Sequence, residues 1–421
     1  MPPVSALKRL LPERVPLEDE PWRLPPSAKL VLILVVLAVG VAQGFGRFTY
    51  ALVLPAIERD LLHSYAVAGW FGTANLTAYL VGVMLVSLAA ARLDPVHLIV
   101  LGLVMSTGGL AAMTVAVEPG LLLGGMIATG AAGAFIWIPS PALAGSVVPE
   151  HRRGFAIGLL GSGIGVAMLF AAELTHAVQA RYGENSWRAV WGVEAALAAI
   201  ATVLVVIWLR EPDTERAGEM RTSSLRDIVA LTSLRAVPSW VAMTVAYAGY
   251  GLCYSIYSSY LVAALQAAGF SVRHASLDYG LVGLSIAAGG VLLGRISDRA
   301  GRRPALVWGF IAMSACPLLV LLGREPWVGA SAIIFGVMMS GVGSVVAAYV
   351  RDHTTEAAFA PAFGAITLFF GAAQLVGPEL GGLLAERSGG FGLAFLVSAV
   401  AGFVGAIASA TLRRDEHDRR S

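Results

Sequence analysis

The sequence reads GVAQGFGRFTYALVLP from Gly40 to Pro55, inside the first long apolar run of the chain. This stretch carries an arginine, Arg47, at a depth where a charge facing lipid would cost roughly 2.5 kcal/mol or more. Gln43 and Tyr50 are spaced from Arg47 so that all three side chains share one face of a helix. The stretch therefore predicts a membrane helix whose polar face borders a solute pathway, or else an ion pair buried between helices.

The composition of the whole chain is that of a membrane protein. Of the 421 residues, 57% are hydrophobic and 13% are charged, whereas soluble domains contain about 25% charged residues. Both cysteines, Cys253 and Cys316, lie in apolar runs and indicate neither a disulfide framework nor a metal site. The first apolar run is too long for a signal peptide, so we expect an amino-terminal tail rather than a cleaved leader.

Apolar runs of the length that crosses a bilayer, about 20 residues, recur twelve times along the chain. We therefore predict an all-α membrane protein with twelve transmembrane helices in two six-helix bundles. The bundles are expected at residues 29–209 and 238–412. A polar linker at 210–237, with an amphipathic segment, joins them, and tails are expected at 1–28 and 413–421.

The distribution of Lys and Arg predicts the orientation of the chain. These residues concentrate in the segments that lie on the same side as both termini, so both termini are expected to be cytoplasmic. The two halves also resemble a repeat, because laying the fifth span on the eleventh pairs Gly158 with Gly364 and Glu173 with Glu379. Two related bundles can rock around a binding site near the middle of the membrane.

The segment GRISDRAGRR, from Gly294 to Arg303, joins the eighth and ninth spans. It resembles the G-x-x-x-D-R-x-G-R-R loop of the major facilitator superfamily, and the resemblance covers the chain from Lys29 to Arg414. The run GFGRFTY around Arg47 is similar, more narrowly, to the YbfB/YjiJ-type branch of bacterial transporters. The resemblance implies the major facilitator fold, with two pseudo-symmetric bundles, and a cytoplasmic gating latch made of Gly294, Asp298, Arg299, Gly301, Arg302 and Arg303.

Three acids within or near the predicted spans are candidates for carrying a coupling proton or for pairing with Arg47. Glu173 and Glu379 lie on the fifth and eleventh spans, which border the central cavity in the superfamily, and Asp278 lies on the eighth. A carboxyl group in apolar surroundings can exchange a proton near neutral pH, although a permanent salt bridge is the alternative. Glu194 on the sixth span ranks lower, because that span faces lipid in the superfamily.

A row of tyrosines marks the seventh span, which is the repeat partner of the first. Tyr247, Tyr250, Tyr254 and Tyr257 lie on one helix face and extend over about 15 Å. An aromatic belt at the membrane interface would cluster at one depth, so we expect this face to line the cavity and offer hydroxyl groups and ring faces to a substrate. Weaker candidates for the same cavity are Asn75, Tyr79, Trp137 and Gln374.

Together these features predict a secondary active transporter that moves a small anionic or polar organic solute across the cell membrane by alternating access, coupled to protons. The alternative within the class is proton-driven efflux of amphipathic, drug-like compounds. A membrane sensor would need a signalling domain, for which the tails and linker are too short. No nucleophile–base pair or metal cluster is visible in the sequence. We therefore expect no enzymatic activity, no metal and no nucleic-acid partner, and a monomer in the plasma or inner membrane of a bacterium.

Overall fold

Long α-helices make up the part of the chain that the computed structural model describes, which is residues 25–89, 93–149, 152–209 and 231–413. Most of each predicted tail and most of the predicted linker lie outside these ranges. The first half contains α1 (Pro26–Leu62), α2 (Tyr65–Ala89), α3 (Pro95–Thr114), α4 (Pro119–Ser146), α5 (Arg153–Tyr182) and α6 (Trp187–Trp208). The second half contains α7 (Trp240–Ala267), α8 (Val272–Ala300), α9 (Arg302–Leu321), α10 (Trp327–Asp352), α11 (Glu356–Ser388) and α12 (Gly392–Ala410). A short 3-10 turn, Leu231–Ala236, precedes α7.

Eleven of these helices are long and apolar enough to cross a membrane, and α7 is the twelfth long helix. With 28 residues α7 is long enough to span a bilayer, but it carries tyrosines and serines along its length. Most of these polar side chains are buried, so they face the protein interior rather than lipid. The expected all-α fold with twelve long helices is therefore confirmed within the described residues.

Helix α1 is irregular around its arginine. Residues Gly40–Phe48 form a π-helical segment, in which the backbone N–H of Thr49 donates to the carbonyl of Gly44, five residues earlier. A methyl group added at Gly44 would overlap Ala167 of α5, so the glycine allows the two helices to touch. Single π-helical turns inside α-helices are frequent at functional sites, because the extra residue re-aims the side chains around it.

The two halves meet along a surface that we call the seam, where α2 packs on α11 and α5 packs on α8. Glycines allow this close approach. A methyl group at Gly69 of α2 would overlap the carbonyl of Pro378, and one at Gly165 of α5 would overlap the carbonyl of Gly283. Small residues of this kind let membrane helices pack backbone to backbone.

The seam does not extend along the whole length of the helices. Gly158 and Gly161 lie on the same face of α5 as Gly165, yet an added methyl group at either would meet no atom of the described residues within 4 Å. Gly294 shares a face of α8 with Gly283 and is open in the same way. We call the end where α2 begins and α11 ends the Glu386 end, and the end where α9 begins the Arg302 end. The halves are therefore in contact toward the Glu386 end and separate toward the Arg302 end.

Candidate substrate-binding cavity

A cavity with about 420 Å³ of empty space lies between the two halves. That space includes the opening of the cavity, which is continuous with solvent. Helices α1, α2 and α4 supply its first wall and α7, α8 and α11 supply the second. The polar and aromatic side chains that line it are Arg47, Phe48, Tyr50, Asn75, Tyr254, Ser255, Ser258, Ser259 and Tyr279.

The Arg47 guanidinium is held among aromatic rings from both halves. Its central carbon lies 5.5 Å from the ring centre of Phe48, 6.0 Å from that of Tyr79 and 5.8 Å from that of Tyr254. Each such contact attracts a cation by about 0.5–2 kcal/mol, depending on how far it is removed from water. No carboxylate in the described ranges lies within ion-pair distance of this arginine. The cavity therefore presents a positive charge that lacks a negative counterpart there.

Three of the four tyrosines in the predicted row on α7 form an aromatic stack. Tyr247, Tyr250 and Tyr254 follow one another with ring centres 5.5 and 5.9 Å apart, and Phe370 of α11 lies 4.8 Å from the first of them. Only Tyr254 of this stack lines the cavity itself. The Tyr250 hydroxyl is already engaged, because it donates to the carbonyl of Met339.

The fourth tyrosine, Tyr257, belongs to the interior of the second half. Its ring stacks on Phe335 of α10, and its hydroxyl lies 2.7 Å from the Ser331 hydroxyl. The helical spacing that places Tyr257 on the same face as Tyr254 is correct, but the neighbouring helices cover that part of the face. Tyr257 therefore holds α7 against α10 and does not reach the cavity.

Two candidates from the first half line the cavity while their side chains hold helices together. The Tyr50 hydroxyl donates to the carbonyl of Ala68, 2.8 Å away on α2. The Asn75 amide nitrogen contacts the carbonyls of Gly46 and Met126, at 3.2 and 2.8 Å, and also the Thr129 hydroxyl. These bonds tie α2 to α1 and α4 beside the arginine, so Asn75 supports the wall of the cavity.

Three further candidates are close to the cavity without bordering it. Gln43 is buried, and its amide nitrogen would lie 3.8 Å from a methyl group added at Gly133 of α4. Gln374 of α11 is buried and faces the hydroxyl of Tyr254. Trp137 is half-buried at the end of the first segment of α4, where Pro139 interrupts the regular helix, as its position in the sequence predicts.

The structure adds cavity residues that the sequence interpretation missed. Tyr279 of α8 is 1% exposed, and its hydroxyl has no hydrogen-bond partner among the described residues. Ser255, Ser258 and Ser259 continue the α7 wall beyond Tyr254. The internal repeat could have predicted these residues, because the same spacing in the sequence relates four pairs of residues that line the cavity. These pairs are Arg47 and Tyr254, Phe48 and Ser255, Ala51 and Ser258, and Gly72 and Tyr279.

The three candidate acids lie in different surroundings. Glu173 is exposed on α5, and Glu379 is half-buried in the seam beside Gly69. Asp278 is 5% exposed, and one of its carboxylate oxygens has no hydrogen-bond partner among the described residues. None of the three pairs with Arg47.

The expectation that α6 turns Glu194 toward lipid is wrong. Its side chain is 0% exposed, and its Oε1 atom lies within hydrogen-bonding distance, 2.7 Å, of the Thr49 hydroxyl of α1. This face of α6 packs on α1 and α3, so the glutamate points into the first half. Sequence periodicity does not reveal this contact, because α6 is apolar on every side.

The loop at the Arg302 end is organised around one arginine. The Arg302 side chain donates to Asp298, to the Ser297 hydroxyl at 2.7 Å and to Asp352 of α10 at 2.8 Å. Gly301 has a φ of 93°, a conformation that side chains disfavour, so the glycine allows the sharp turn between α8 and α9. These contacts all lie within the second half.

The other members of the predicted latch have separate positions. The Arg303 guanidinium donates to the carbonyl of Ala410, which ties α9 to the end of α12. Arg299 is exposed, and Gly294 faces the open region between the halves. In this conformation the hydrogen bonds of Arg302 and Arg303 brace α8, α9, α10 and α12 against one another.

Comparison with protein families gives one match over most of the chain. The family described as "Uncharacterised MFS-type transporter YbfB", where MFS stands for major facilitator superfamily, matches residues 39–410. Among individual relatives, the chain is 23% identical over 257 residues to the fosmidomycin resistance protein of Escherichia coli, a match that covers 60% of this chain and 61% of that protein. It is 33% identical over 100 residues to the class B tetracycline resistance protein of Escherichia coli, covering 23% and 24% of the two chains.

Comparison with solved structures shows the same fold. A bacterial homolog of the human lysosomal transporter Spinster, in an inward-facing and unoccupied conformation, superimposes with a TM-score of 0.73 at 16% identity, over 92% of this chain and 98% of that one. A D-xylose-proton symporter superimposes with a TM-score of 0.72 at 14% identity, over 91% and 97% of the two chains. At these identities the likeness shows the arrangement of helices.

Proposed function

The chain belongs to the YbfB-type family of major facilitator transporters, and from its cavity we propose that it carries a small anionic or polar organic solute across the membrane by alternating access. The observation that supports this most directly is Arg47, a cation that lies between the two halves without a carboxylate partner in the described ranges. Arg47 is half-buried, and a charge without a partner inside a membrane protein costs free energy that an anionic substrate would partly offset on binding.

The second half supplies groups that suit the uncharged part of such a substrate. Tyr254 and Tyr279 of the second half line the cavity together with Arg47, and three serines of α7 complete that wall. The Tyr279 hydroxyl is buried without a partner in the described chain, and such groups normally have one. Because charge recognition comes from one half and hydroxyl recognition from the other, a bound solute would hold the two halves together.

The direction in which the cavity opens follows from the charge distribution. The positive-inside rule places the Arg302 end in the cytoplasm, together with both termini. The seam is closed toward the Glu386 end, so the conformation described here is open to the cytoplasm under this orientation. Transport would then require the seam to part at the Glu386 end and the halves to meet at the Arg302 end.

We further propose that transport is coupled to protons. Asp278, Glu173 and Glu379 are acids within membrane helices that can exchange a proton. Asp278 is the most buried of these three, and one of its oxygens has no partner among the described residues. A structural neighbour is a D-xylose-proton symporter, which makes proton coupling a reasonable hypothesis for this fold.

Proteoliposome uptake tests the role of the arginine. Purified protein would be assayed with a panel of labelled small carboxylates, with and without a pH gradient. Arg47→Gln should abolish uptake of any carboxylate that the wild type transports, because the cation that attracts the substrate is gone. Arg273→Gln, which removes an exposed arginine at the start of α8, is the matched control and should leave uptake unchanged. Full uptake by Arg47→Gln would remove Arg47 from the mechanism.

Efflux of amphipathic compounds is the second candidate function. The similar proteins from Escherichia coli are named for resistance to fosmidomycin and tetracycline, and the cavity is lined by the aromatic side chains of Phe48, Tyr254 and Tyr279. The two functions differ in their dependence on Arg47. Drug resistance on overexpression that persists in Arg47→Gln would favour efflux, whereas its loss would favour recognition of an anion.

A further inference from the structure

Glu194 is an ionisable group that lies entirely inside the first half. Its side chain is 0% exposed, and its Oε1 atom lies 2.7 Å from the Thr49 hydroxyl. Its Oε2 atom has no hydrogen-bond partner among the described residues. Carboxyl groups within membrane helices are rare and costly, so one in this position needs a physical explanation.

No cation compensates this carboxyl group. It lies on α6, which packs against α1, α3 and α5. Thr49 is the one described group whose charge or hydrogen bond acts on it. The charged side chains of the surrounding helices are directed elsewhere: Arg47 lines the cavity, Asp60 pairs with Arg188, and Arg59 pairs with Glu184. The others have exposed or partly exposed side chains, and they are Lys29, Glu58, His97, Arg153, Glu173, His176 and Arg181. A bare carboxylate would therefore be unpaired.

An unpaired buried carboxylate costs several kcal/mol, which a bound proton removes. The geometry described here therefore favours the protonated form of Glu194. The proton gives the carboxyl group an O–H that can donate a hydrogen bond, so its neighbour must accept a bond rather than donate one.

The neighbour, Thr49, can respond to this change. Its hydroxyl lies 2.7 Å from Glu194 and 3.4 Å from the carbonyl of Gly44. With a protonated carboxyl group, Glu194 donates to the Thr49 oxygen, and Thr49 is free to donate to Gly44. With a carboxylate, the single Thr49 hydrogen must turn toward Glu194, and Gly44 loses that bond.

The Gly44 carbonyl belongs to the π-helical segment that presents the arginine. It also accepts the backbone N–H of Thr49, the bond that defines the π-helical turn, and Arg47 lies within that turn. We propose that Glu194 is a proton-binding site, read by Thr49, whose occupancy sets the geometry of the turn that carries Arg47. The role of Glu194 in coupling rests on the proposed function, but proton binding by Glu194 can be tested without a substrate.

Infrared difference spectroscopy tests the proton site on the purified full-length chain in lipid. The wild type at neutral pH should show the C=O stretching band of a protonated, hydrogen-bonded carboxyl group. The variants are compared in an Asp278→Asn background, because Asp278 is a second buried acid. In that background Glu194→Gln should lose this band, and Glu173→Gln, which changes an exposed acid, should keep it. In Thr49→Val, which keeps the carboxyl group but removes its hydrogen-bond partner, the band should shift to the position of a free carboxyl group. A band that survives in Glu194→Gln, or that ignores Thr49→Val, would overturn the assignment.

A labelling experiment tests the link from Glu194 to the arginine. Ser259→Cys places a thiol in the cavity wall, and the ratio of its reaction rates with an anionic and a cationic thiol reagent of equal size reports the local field of Arg47. Taking a ratio removes the ionisation of the thiol itself. The ratio should change with pH in the parent and become independent of pH when Glu194→Gln is added. A pH response that persists in Glu194→Gln would overturn the link, even if anion transport is confirmed.

Discussion

At the scale of single residues, some polar side chains in and near the cavity are bonded to other parts of the protein, and others lack such a partner among the described residues. Asn75 uses its amide nitrogen to hold α2 against α1 and α4. Tyr257 uses its hydroxyl on Ser331. Tyr279 has a buried hydroxyl without a partner in the described chain, and Arg47 has no carboxylate partner there. Free polar groups of this kind are the ones that a solute can engage.

Replacing Tyr279 by Phe should therefore weaken transport without destabilising the protein. The hydroxyl makes no bond within the described residues, so the free energy of unfolding should stay the same or rise slightly, while the apparent KM rises about fivefold through loss of a substrate bond worth about 1 kcal/mol. Thermal unfolding and uptake kinetics on the same preparation measure both quantities.

The matched control for that change is Tyr257→Phe, which removes a hydroxyl that is bonded to Ser331. It should destabilise the protein by about 1 kcal/mol and leave the KM unchanged. Equal losses of stability in the two variants would show that Tyr279 is structural.

At the scale of helices, glycines decide where the halves can touch. Gly165 and Gly283 allow α5 and α8 to meet backbone to backbone, whereas Gly158 on the same face of α5 is open. The same glycine-rich helix thus has a packed part toward the Glu386 end and a free part toward the Arg302 end. We expect the free part to become packed when the transporter changes conformation.

Changing Gly165 to Ala should destabilise the conformation described here. The added methyl group would overlap the Gly283 carbonyl, and overpacking of this kind costs about 1–3 kcal/mol. The thermal midpoint of the purified protein measures the effect. Gly158→Ala adds the same methyl group to the same face, where it meets nothing, so its midpoint should match that of the wild type. A lower midpoint in Gly158→Ala alone would reverse the assignment of the closed and open parts.

Glu386 caps a helix of the opposite half. Its Oε2 atom accepts a 2.5 Å hydrogen bond from the Ser64 hydroxyl and a 3.0 Å bond from the backbone N–H of Ala66, at the start of α2. A carboxylate at a helix amino terminus is also favoured by the helix dipole. This contact can exist only while the seam is closed at this end.

Glu386→Gln should therefore shift the protein toward the conformation that opens at the Glu386 end. Val117 and Leu322 are exposed sites at that end in opposite halves. Spin labels at these two sites report the distance between the halves by double electron–electron resonance. The population with the longer distance should grow. Glu184→Gln, which breaks an exposed ion pair with Arg59 inside the first half, is the control and should leave the distances unchanged. An unchanged distribution in Glu386→Gln would show that the cap does not hold the seam.

At the scale of the whole molecule, some features can be predicted from the sequence alone and others cannot. The number of helices and the special position of Arg47 follow from hydropathy and from the cost of a charge in lipid, both of which are local properties. The burial of Glu194 and the exclusion of Tyr257 from the cavity depend on which neighbour covers which helix face. The largely apolar sequence of α6 does not show which of its faces a neighbouring helix covers. Tyr279 is an intermediate case: hydropathy does not mark it as a cavity residue, but the repeat relates it to Gly72, which also lines the cavity.

The cavity itself is a property of the whole molecule, because each half provides only one wall. Arg47 from the first half and Tyr254 from the second are related by the repeat and meet across the space. Rocking of the halves would therefore expose the same pair of residues to either side of the membrane in turn. The central claim is that water and solute reach Arg47 through the opening at the Arg302 end.

Labelling of a cavity thiol in inside-out vesicles tests that claim most directly. Ser259→Cys would be exposed to anionic and cationic thiol reagents that do not cross membranes, and the parent chain controls for Cys253 and Cys316, which are buried. The account predicts reaction from the cytoplasmic side, faster for the anionic reagent, with the preference abolished by Arg47→Gln. A thiol that reacts with neither reagent, or an anionic preference that survives loss of the arginine, would contradict it.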